Sequence, residues 1–263
     1  MLRDFAAQAR VLPLVAALVL GLLAAACAGP PTPTPVPPTP TPLPDPVSIL
    51  KDTATNLRDL QSTEFLVRHE AGAIFIPVFS AKLTEARGVW DAEEGAELEV
   101  DAYLVANAES EAESGIYIGL QSVITPDAYY GTDPFSGAWL KQPQSLAPIP
   151  VSELNRLMAD LVDMIADPVL DGEEEVDGAS AYKISGEAPA AALDWLPLTA
   201  EEGQRVHIEL WTDTEERQLR RMRLTGAVGM FDQPDTVREI LLTNINGTVA
   251  IEPPSEFTDL TGG

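Results

Sequence analysis

A proline-rich segment near the N-terminus divides this chain into two parts that must fold separately. Ten of the seventeen residues from Pro30 to Pro46 are proline, and several of them alternate with threonine. Proline fixes its own φ angle and lacks a backbone N–H, so the segment favours extended polyproline II and cannot help to build a core. The sequence therefore predicts a short N-terminal part and one folded domain over residues 47–263.

Residues 1–26 have the pattern of a secretory signal peptide. Arg3 and Arg10 supply a basic start, and the sixteen residues from Val11 to Ala26 form an apolar run that contains Pro13. This run is shorter than the roughly 20 apolar residues that span a bilayer. The flank that follows it is also rich in Pro and Thr instead of charged residues. Export is therefore favoured over the alternative, a retained membrane helix.

The only cysteine, Cys27, directly follows the apolar run. The sequence LLAAAC that ends in it resembles the bacterial lipobox, although Ala24 stands where leucine is commoner. In a lipobox the cysteine becomes the first mature residue and carries acyl chains such as palmitate. A disulfide is a poor alternative because the chain has no second cysteine. We predict that Cys27 is a lipid anchor on the extracytoplasmic face of the bacterial plasma membrane.

Residues 27–46 are then a lipidated cysteine followed by a Pro/Thr-rich tether. An extended polyproline II segment of this length would hold the domain ~50 Å from the anchor. The alternative is that the segment is a proline-rich ligand for a recognition domain. Ligands of this kind are less common outside the cell. We therefore interpret the segment as a spacer.

The net charge of −25 limits the partners of the chain. Nucleic acid is excluded as an expected partner, because phosphate binding requires clustered Lys and Arg side chains. The one cationic cluster consists of Arg217, Arg220, Arg221 and Arg223. These arginines lie in a strand-like segment with Glu209 and Glu239 nearby in sequence, so they predict charge pairs between strands. A dock for an anionic headgroup or partner is the alternative.

Hydrophobic spacing in the domain predicts helices and strands in alternating groups. Residues 152–165 are the clearest helix, because apolar side chains recur at i, i+3, i+4 and i+7, with Ser152 as the predicted cap. An earlier amphipathic helix has Ser48 as its predicted cap. Strand-like alternation follows the first helix and recurs after the second, as in residues 205–213. This order indicates an α+β domain with helices segregated onto one face of a large antiparallel sheet.

The sequence offers little from which to build a catalytic centre. It contains no nucleophile elbow, phosphate-binding glycine loop or His-Glu-x-x-His motif. His69 and His207 both fall in strand-like alternation, as ordinary sheet residues do. The acidic run at residues 171–178 lacks the glycine and the last glutamate of a calcium loop, and we interpret it as a solvated turn between helix and strand. We expect no enzyme activity, no cofactor and no metal.

The order of these features resembles the LppX/LprG-type lipoprotein family of mycobacteria and other bacteria. The similarity extends from Cys27 to about Glu256 and includes PDAYYGTDPFSGAWLK, VHIELWTDTEERQLRRMRL and LTNINGTVAIEPP. The resemblance implies a strongly curved antiparallel sheet, a half-barrel like that of the Lol carriers, with helices across its concave face. It also implies an apolar cavity between sheet and helices that holds acyl chains, and no catalytic residues.

Two groups of apolar residues are the predicted ligand-binding positions. One is the face of the second helix, and the other is the segment AGAIFIPVFSAKL at residues 71–83, which is apolar on both faces. Because Pro77 argues against a central strand, this segment is either ordinary core, a doubly buried strand or a mobile lip at a lipid entrance. The predicted residues are Ile74, Phe75, Ile76, Val78, Phe79, Leu154, Leu157, Met158, Leu161, Val162 and Ile165.

These features together predict a monomeric, membrane-anchored envelope lipoprotein that binds and carries acyl lipids or glycolipids. An envelope transport protein is the candidate protein partner. The alternative is a lipid-anchored interaction or sensor module of the same architecture without lipid cargo. A real void between the sheet and the helices would separate the two functions.

Overall fold

A computed structural model describes residues 43–196 and 200–261. The predicted signal peptide and Cys27 lie outside the described residues. The helices and strands in chain order are α1 (Pro46–Arg58), β1 (Ser62–Ala71), β2 (Ile74–Ile76), β3 (Ala81–Asp91), β4 (Gly95–Leu104), β5 (Ile116–Ile124), β6 (Ala128–Thr132), β7 (Trp139–Pro143), α2 (Leu154–Asp163), β8 (Ala166–Val176), β9 (Ala179–Pro189), β10 (Arg205–Asp213), β11 (Leu219–Thr225), β12 (Val237–Thr243) and β13 (Thr258–Asp259).

The described strands form one open sheet of 13 strands. Its order is β13-β7-β6-β5-β4-β3-β1-β12-β11-β10-β9-β8, and β2 pairs with the beginning of β3. The β13–β7 pairing is parallel, and the other described pairings are antiparallel. The edge strands β8 and β13 do not pair with each other, so the sheet stays unclosed. The predicted α+β half-barrel with a large antiparallel sheet is confirmed.

Both helices pack on the same face of the sheet, which we call the helix face. Apolar side chains of α1 and α2 share a core with those of β9 to β12, formed among others by Ile49, Ala54, Leu161, Ile184, Ile208 and Met222. Within this core the hydroxyls of Thr53 and Thr212 lie 3.0 Å apart and join α1 to β10. The two hydroxyls also lie within hydrogen-bonding distance of the carbonyl oxygens of Ile49 and Gln218, at 2.9 and 3.1 Å, so these buried polar groups are satisfied.

Polar contacts fix the two helices relative to each other and to β3. Arg58 near the end of α1 pairs with Asp160, 3.1 Å away, and with Asp163, both on α2. The indole Nε1 of Trp90 on β3 donates to the carbonyl oxygen of Val151 over 2.8 Å. The turn that leads into α2 is therefore held on the sheet by a buried hydrogen bond.

The helices begin at caps that the sequence did not predict. α1 is capped by Asp45, whose carboxylate accepts a hydrogen bond from the backbone N–H of Ser48 over 3.2 Å. α2 begins at Leu154 after a short 3-10 turn that contains Ser152, and its N-cap Glu153 makes no side-chain capping bond. The predictions that Ser48 and Ser152 are the caps are therefore wrong.

Strand β8 forms one edge of the sheet and contains most of the acidic run at residues 171–178. The prediction of a solvated turn is therefore wrong for all but the end of this run. The pairing of β8 with β9 shifts register twice, and Asp167 has a left-handed φ of 51°. Charges and bulges of this kind discourage pairing with a further strand, because they interrupt the row of free backbone groups.

A glycine allows close approach of two strands in the middle of the sheet. A Cβ atom on Gly88 of β3 would lie 2.0 Å from the carbonyl oxygen of Glu97 on β4. We expect Gly88→Ala to lower the free energy of unfolding by ~3 kcal/mol, because backbone must shift to relieve the overlap. Gly119→Ala on β5 is the control, since its Cβ would come no nearer than 3.3 Å to the hydroxyl of Tyr117. Equal denaturation midpoints for the two variants would contradict this prediction.

Candidate functional site

The helix face carries a row of apolar side chains that crosses most of the sheet. The strand register places one residue of each strand from β8 to β5 opposite the next. The members of this apolar row are Leu170, Ile184, Leu210, Met222, Ile240, Val67, Ala86, Val100 and Leu120. Alternation along each strand points these side chains to one face, so the row is a continuous apolar surface.

Burial changes along the apolar row. Ile184, Leu210 and Met222 are fully buried beneath the helices. From β12 onward the members are only half-buried; these are Ile240, Val67, Ala86, Val100 and Leu120, which we call the half-covered strip. The helices therefore close over one part of the sheet and leave an apolar strip beside it with less cover.

The predicted residues of α2 lie in different surroundings. The side chains of Met158, Leu161, Val162 and Ile165 are buried in the core shared with α1. Leu154 is half-buried and packs against this core and against the one around Trp90. Leu157 is also half-buried, and it belongs to none of the cores found among the described residues. Of the predicted residues from Leu154 to Ile165, Leu157 is therefore the one that lies outside the cores found among the described residues.

The second predicted group of ligand-binding residues lies at one end of the sheet. Ile74, Phe75 and Ile76 form the short strand β2 and are half-buried. A 3-10 turn follows at Pro77–Phe79, and the Phe79 residue is 69% exposed. The side chain of Val78 lies outside the described part of the structure. The segment is thus neither a central strand nor an ordinary buried core segment.

We call this end of the sheet, where β1 ends and β3 begins, the rim. The antiparallel order brings the loop between β11 and β12, residues 226–236, to the same end. The rings of Phe75 and Phe231 pack edge to face with centroids 5.3 Å apart. The two loops therefore contact each other across the rim.

A buried ion pair holds the loop between β11 and β12. Arg238 pairs with Asp232, and their side chains are 3% and 2% exposed. The Asp232 carboxylate also accepts the backbone N–H groups of Val228 and Gly229 over 2.8 and 2.9 Å. Charge-assisted bonds of this kind are strong in a buried site, so the loop has one preferred conformation.

His69 lies beside Arg238 on the neighbouring strand. Burial and, to a lesser extent, the positive charge of Arg238 lower the pKa of His69 to about 4. The imidazole is therefore neutral at pH 7. Its Nδ1 lies 3.1 Å from the carbonyl oxygen of Thr84, which can only accept, so Nδ1 carries the proton.

Among the described residues, no group of three or more His, Cys, Asp or Glu could hold a metal ion.

Three of the four arginines in the cationic cluster pair with carboxylates, and Arg221 and Arg223 do so on the face of the sheet opposite the helices. Arg221 pairs with Glu239, and Arg223 pairs with Glu70. The other two arginines contact Asp213, 3.3 Å from Arg220, and the ring of Tyr182, 4.7 Å from Arg217. The prediction of charge pairs between strands is confirmed for Arg221 and Arg223.

A groove of about 660 Å³ also lies on the face opposite the helices. Glu64, Glu97 and Glu99 line it, with Leu66 and Val89 between them. Arg87 also lines the groove and pairs with Glu99 over 2.8 Å, and the groove lies on the other face of the sheet from the half-covered strip. This groove is therefore distinct from the predicted lipid site.

No helix within the described residues has the length and apolar character needed to cross a bilayer.

Comparison with known proteins agrees with this geometry. A family model described as LppX_LprAFG lipoprotein matches residues 45–237. The crystal structure of LprF from Mycobacterium bovis is similar with a TM-score of 0.63 and 19% identity, over 82% of this chain and 100% of that chain. LppX from Mycobacterium tuberculosis gives a TM-score of 0.53 and 15% identity, over 78% of this chain and 97% of that chain. No curated protein matches the chain significantly.

The two kinds of comparison carry different information. At these identities, the likeness to the two crystal structures shows the fold alone. The family match, in contrast, covers both helices and the sheet from β1 into the first residue of β12. The expected resemblance is thereby confirmed, and the chain belongs to the LppX_LprAFG lipoprotein family.

Proposed function

We propose that this protein carries acyl lipids or glycolipids along the half-covered strip, between the sheet and the helices. The observation that supports the proposal is the change in burial along the apolar row. Its members from Ile240 to Leu120 continue the buried core but are only half-buried. Acyl chains suit such a surface, because these side chains present no polar group that needs a hydrogen bond.

The size of the strip is compatible with an acyl chain. Its five residues lie on neighbouring strands, and strand spacings of ~4.8 Å give it a length of ~19 Å. One leaflet of a bilayer has a hydrocarbon layer of ~15 Å, half of the ~30 Å core. A chain taken from one leaflet therefore matches the strip in length.

The energetics of transfer favour a loose apolar site. Burying two chains of about sixteen carbons is worth ~25 kcal/mol against water, at ~0.8 kcal/mol per CH₂. The bilayer already provides this burial, so transfer to the protein is nearly neutral. A carrier therefore needs apolar volume more than specific polar contacts, which agrees with a strip of aliphatic side chains.

We further propose that the domain is held by acylated Cys27 at the extracytoplasmic face of the plasma membrane, as a monomer. Membership of a lipoprotein family supports an anchor in the cell envelope. The Pro/Thr-rich tether would give the domain its reach, and an envelope transport protein would receive or supply the lipid.

A lipid-anchored interaction or sensor module without cargo is the second candidate. The groove on the face opposite the helices favours it, because the carboxylates of Glu64 and Glu97 there suit a cationic segment of a partner protein, while Glu99 pairs with Arg87 of the same groove. This candidate predicts that the space beside the strip holds no lipid.

Extraction of the purified full chain with organic solvent, followed by mass spectrometry, tests the carrier function. We expect non-covalent acyl lipid in the extract of the wild type. Leu157→Trp should lower the amount of lipid with little change in the free energy of unfolding, because Leu157 is half-buried outside the cores. In the matched variant Leu161→Trp, a fully buried site is overpacked, so unfolding should become easier by ~1 to 3 kcal/mol.

A wild-type protein that stays free of lipid after purification and after loading trials would contradict the carrier function. The same holds if Leu157→Trp leaves the lipid content unchanged.

A further inference from the structure

Two loops at the rim each contain an uncharged and mostly apolar stretch. The sequence is GAIFIPVFSA at residues 72–81 and GAVGMF at residues 226–231, in a chain of which 22% of the residues are charged. Exposed loops normally carry charged and polar side chains. Asp232 and Asp235 follow in the second loop, but Asp232 is buried in its ion pair with Arg238, so only Asp235 adds an exposed charge beside these apolar stretches.

The rim exposes large apolar side chains. Phe79 is 69% exposed, Met230 is 63% exposed, and Ile116 at the beginning of β5 is 70% exposed. Phe231 is also exposed, next to Met230. We call these four residues the rim patch. Clusters of exposed apolar residues mark interaction surfaces, since a single exposed apolar residue is ordinary but a group of them is costly in water.

The rim patch is held by rigid contacts. The Asp232–Arg238 pair fixes the loop that carries Met230, and the edge-to-face contact of Phe75 with Phe231 ties this loop to β2. The turn below Phe79 is closed by a 3.1 Å hydrogen bond from Ser80 N to the carbonyl oxygen of Pro77. Because the backbone of both loops is held by these contacts, docking them on a surface costs little backbone conformational entropy.

We propose that the rim patch inserts into the surface of a zwitterionic bilayer, so that lipid enters the half-covered strip directly from the membrane. This inference rests on the proposed carrier function. The chain outside the described residues supports the choice of a bilayer, because the family is one of lipoproteins and a tether of ~50 Å would let the rim reach the membrane.

Charge decides which bilayer suits the rim. The protein has a net charge of −25, and the loop that precedes Ile116 exposes Glu109, Glu111 and Glu113. Carboxylates within about 10 Å of an anionic membrane are repelled at moderate salt. A surface of zwitterionic headgroups avoids this repulsion and leaves the burial of the rim patch as the driving force.

The insertion can be measured on the full chain anchored in phosphatidylcholine vesicles. An environment-sensitive NBD label on Phe79→Cys reports the rim, and the same label on Leu146→Cys is the control. Leu146 is 60% exposed but follows β7 at the opposite end of the sheet. Wild-type chain taken through the same labelling gives the background from Cys27. We expect lipids brominated in their acyl chains to quench the label at position 79 and to leave the label at position 146 unquenched.

A transfer assay then connects the rim to lipid movement. The double variant Phe79→Ser/Met230→Ser should transfer a fluorescent acyl lipid between vesicles roughly tenfold more slowly, since it loses most of the apolar area that inserts. Its content of bound lipid after purification should equal that of the wild type, and Leu146→Ser should transfer at the wild-type rate.

The outcomes separate this inference from the proposed function. Lipid in the extract together with an unquenched label at position 79 would overturn insertion of the rim and make a transport protein the better occupant. A quenched label on a protein that never holds lipid would overturn the carrier function and leave the membrane contact standing.

Discussion

Replacing Asp232 with alanine should lower the free energy of unfolding by about 3 to 5 kcal/mol. The Asp232 side chain is 2% exposed and is the ion-pair partner of Arg238, which is itself buried. Without the carboxylate, the Arg238 guanidinium stays buried with no counter-charge, and the N–H groups of Val228 and Gly229 lose their acceptor. Urea denaturation of the variant and the wild type measures the effect.

Asp235→Ala is the matched control, because Asp235 lies in the same loop but is exposed. This variant should change the free energy of unfolding by no more than a few tenths of a kcal/mol. Removing both charges, as in Asp232→Ala/Arg238→Met, should cost less than the Asp232 variant alone, since no unpaired charge remains. If Asp232→Ala and Asp235→Ala unfold alike, the ion pair does not stabilise the loop.

Replacing Cys27 with alanine should abolish anchoring in the membrane. In the anchor that we propose, thioether-linked acyl chains on Cys27 would provide the attachment, because a bilayer holds a doubly acylated protein firmly and a Pro/Thr-rich segment hardly at all. The unlipidated protein should either keep its signal segment or appear in the soluble fraction once that segment is removed. Fractionation, with mass spectrometry of the N-terminus, distinguishes these two results.

The control for the anchor is Ala24→Leu, which restores the commoner lipobox residue and should keep the protein acylated and bound to membranes. The anchor prediction fails if the Cys27→Ala chain remains membrane-bound after its signal segment has been shown to be gone.

Periodicity in the sequence was enough to predict the class of the fold. The second helix has apolar residues at helical spacing, and Val206, Ile208 and Leu210 alternate as a half-buried strand must. Both patterns depend only on local geometry, so they can be read without the fold. The structure confirms the order in which these helices and strands occur.

The local errors in the prediction have physical causes. Ser48 and Ser152 are good capping residues, but Asp45 lies directly before a proline at the first helical position, which is a stronger start signal. The acidic run at residues 171–178 has the composition of a solvated turn, since consecutive carboxylates need water. It lies instead on an edge strand, where charged side chains can reach water.

The candidate site could be predicted only in part. Leu157 follows from the helical stripe, but the stripe alone does not reveal that its neighbour Leu161 is fully buried. The strip residues Val67, Ala86 and Val100 lie on three separate strands, and only the register between those strands brings them together. Long-range pairing of this kind leaves no signal in a single sequence.

The unclosed sheet also determines how much this protein can hold. A closed barrel has a radius fixed by the number and stagger of its strands. Because β8 and β13 do not pair, this sheet can widen or tighten through small changes of twist shared among its strands, with no backbone hydrogen bond broken. In the carrier that we propose, capacity is therefore elastic, and the same domain can adapt to lipids that differ in the number and length of their acyl chains.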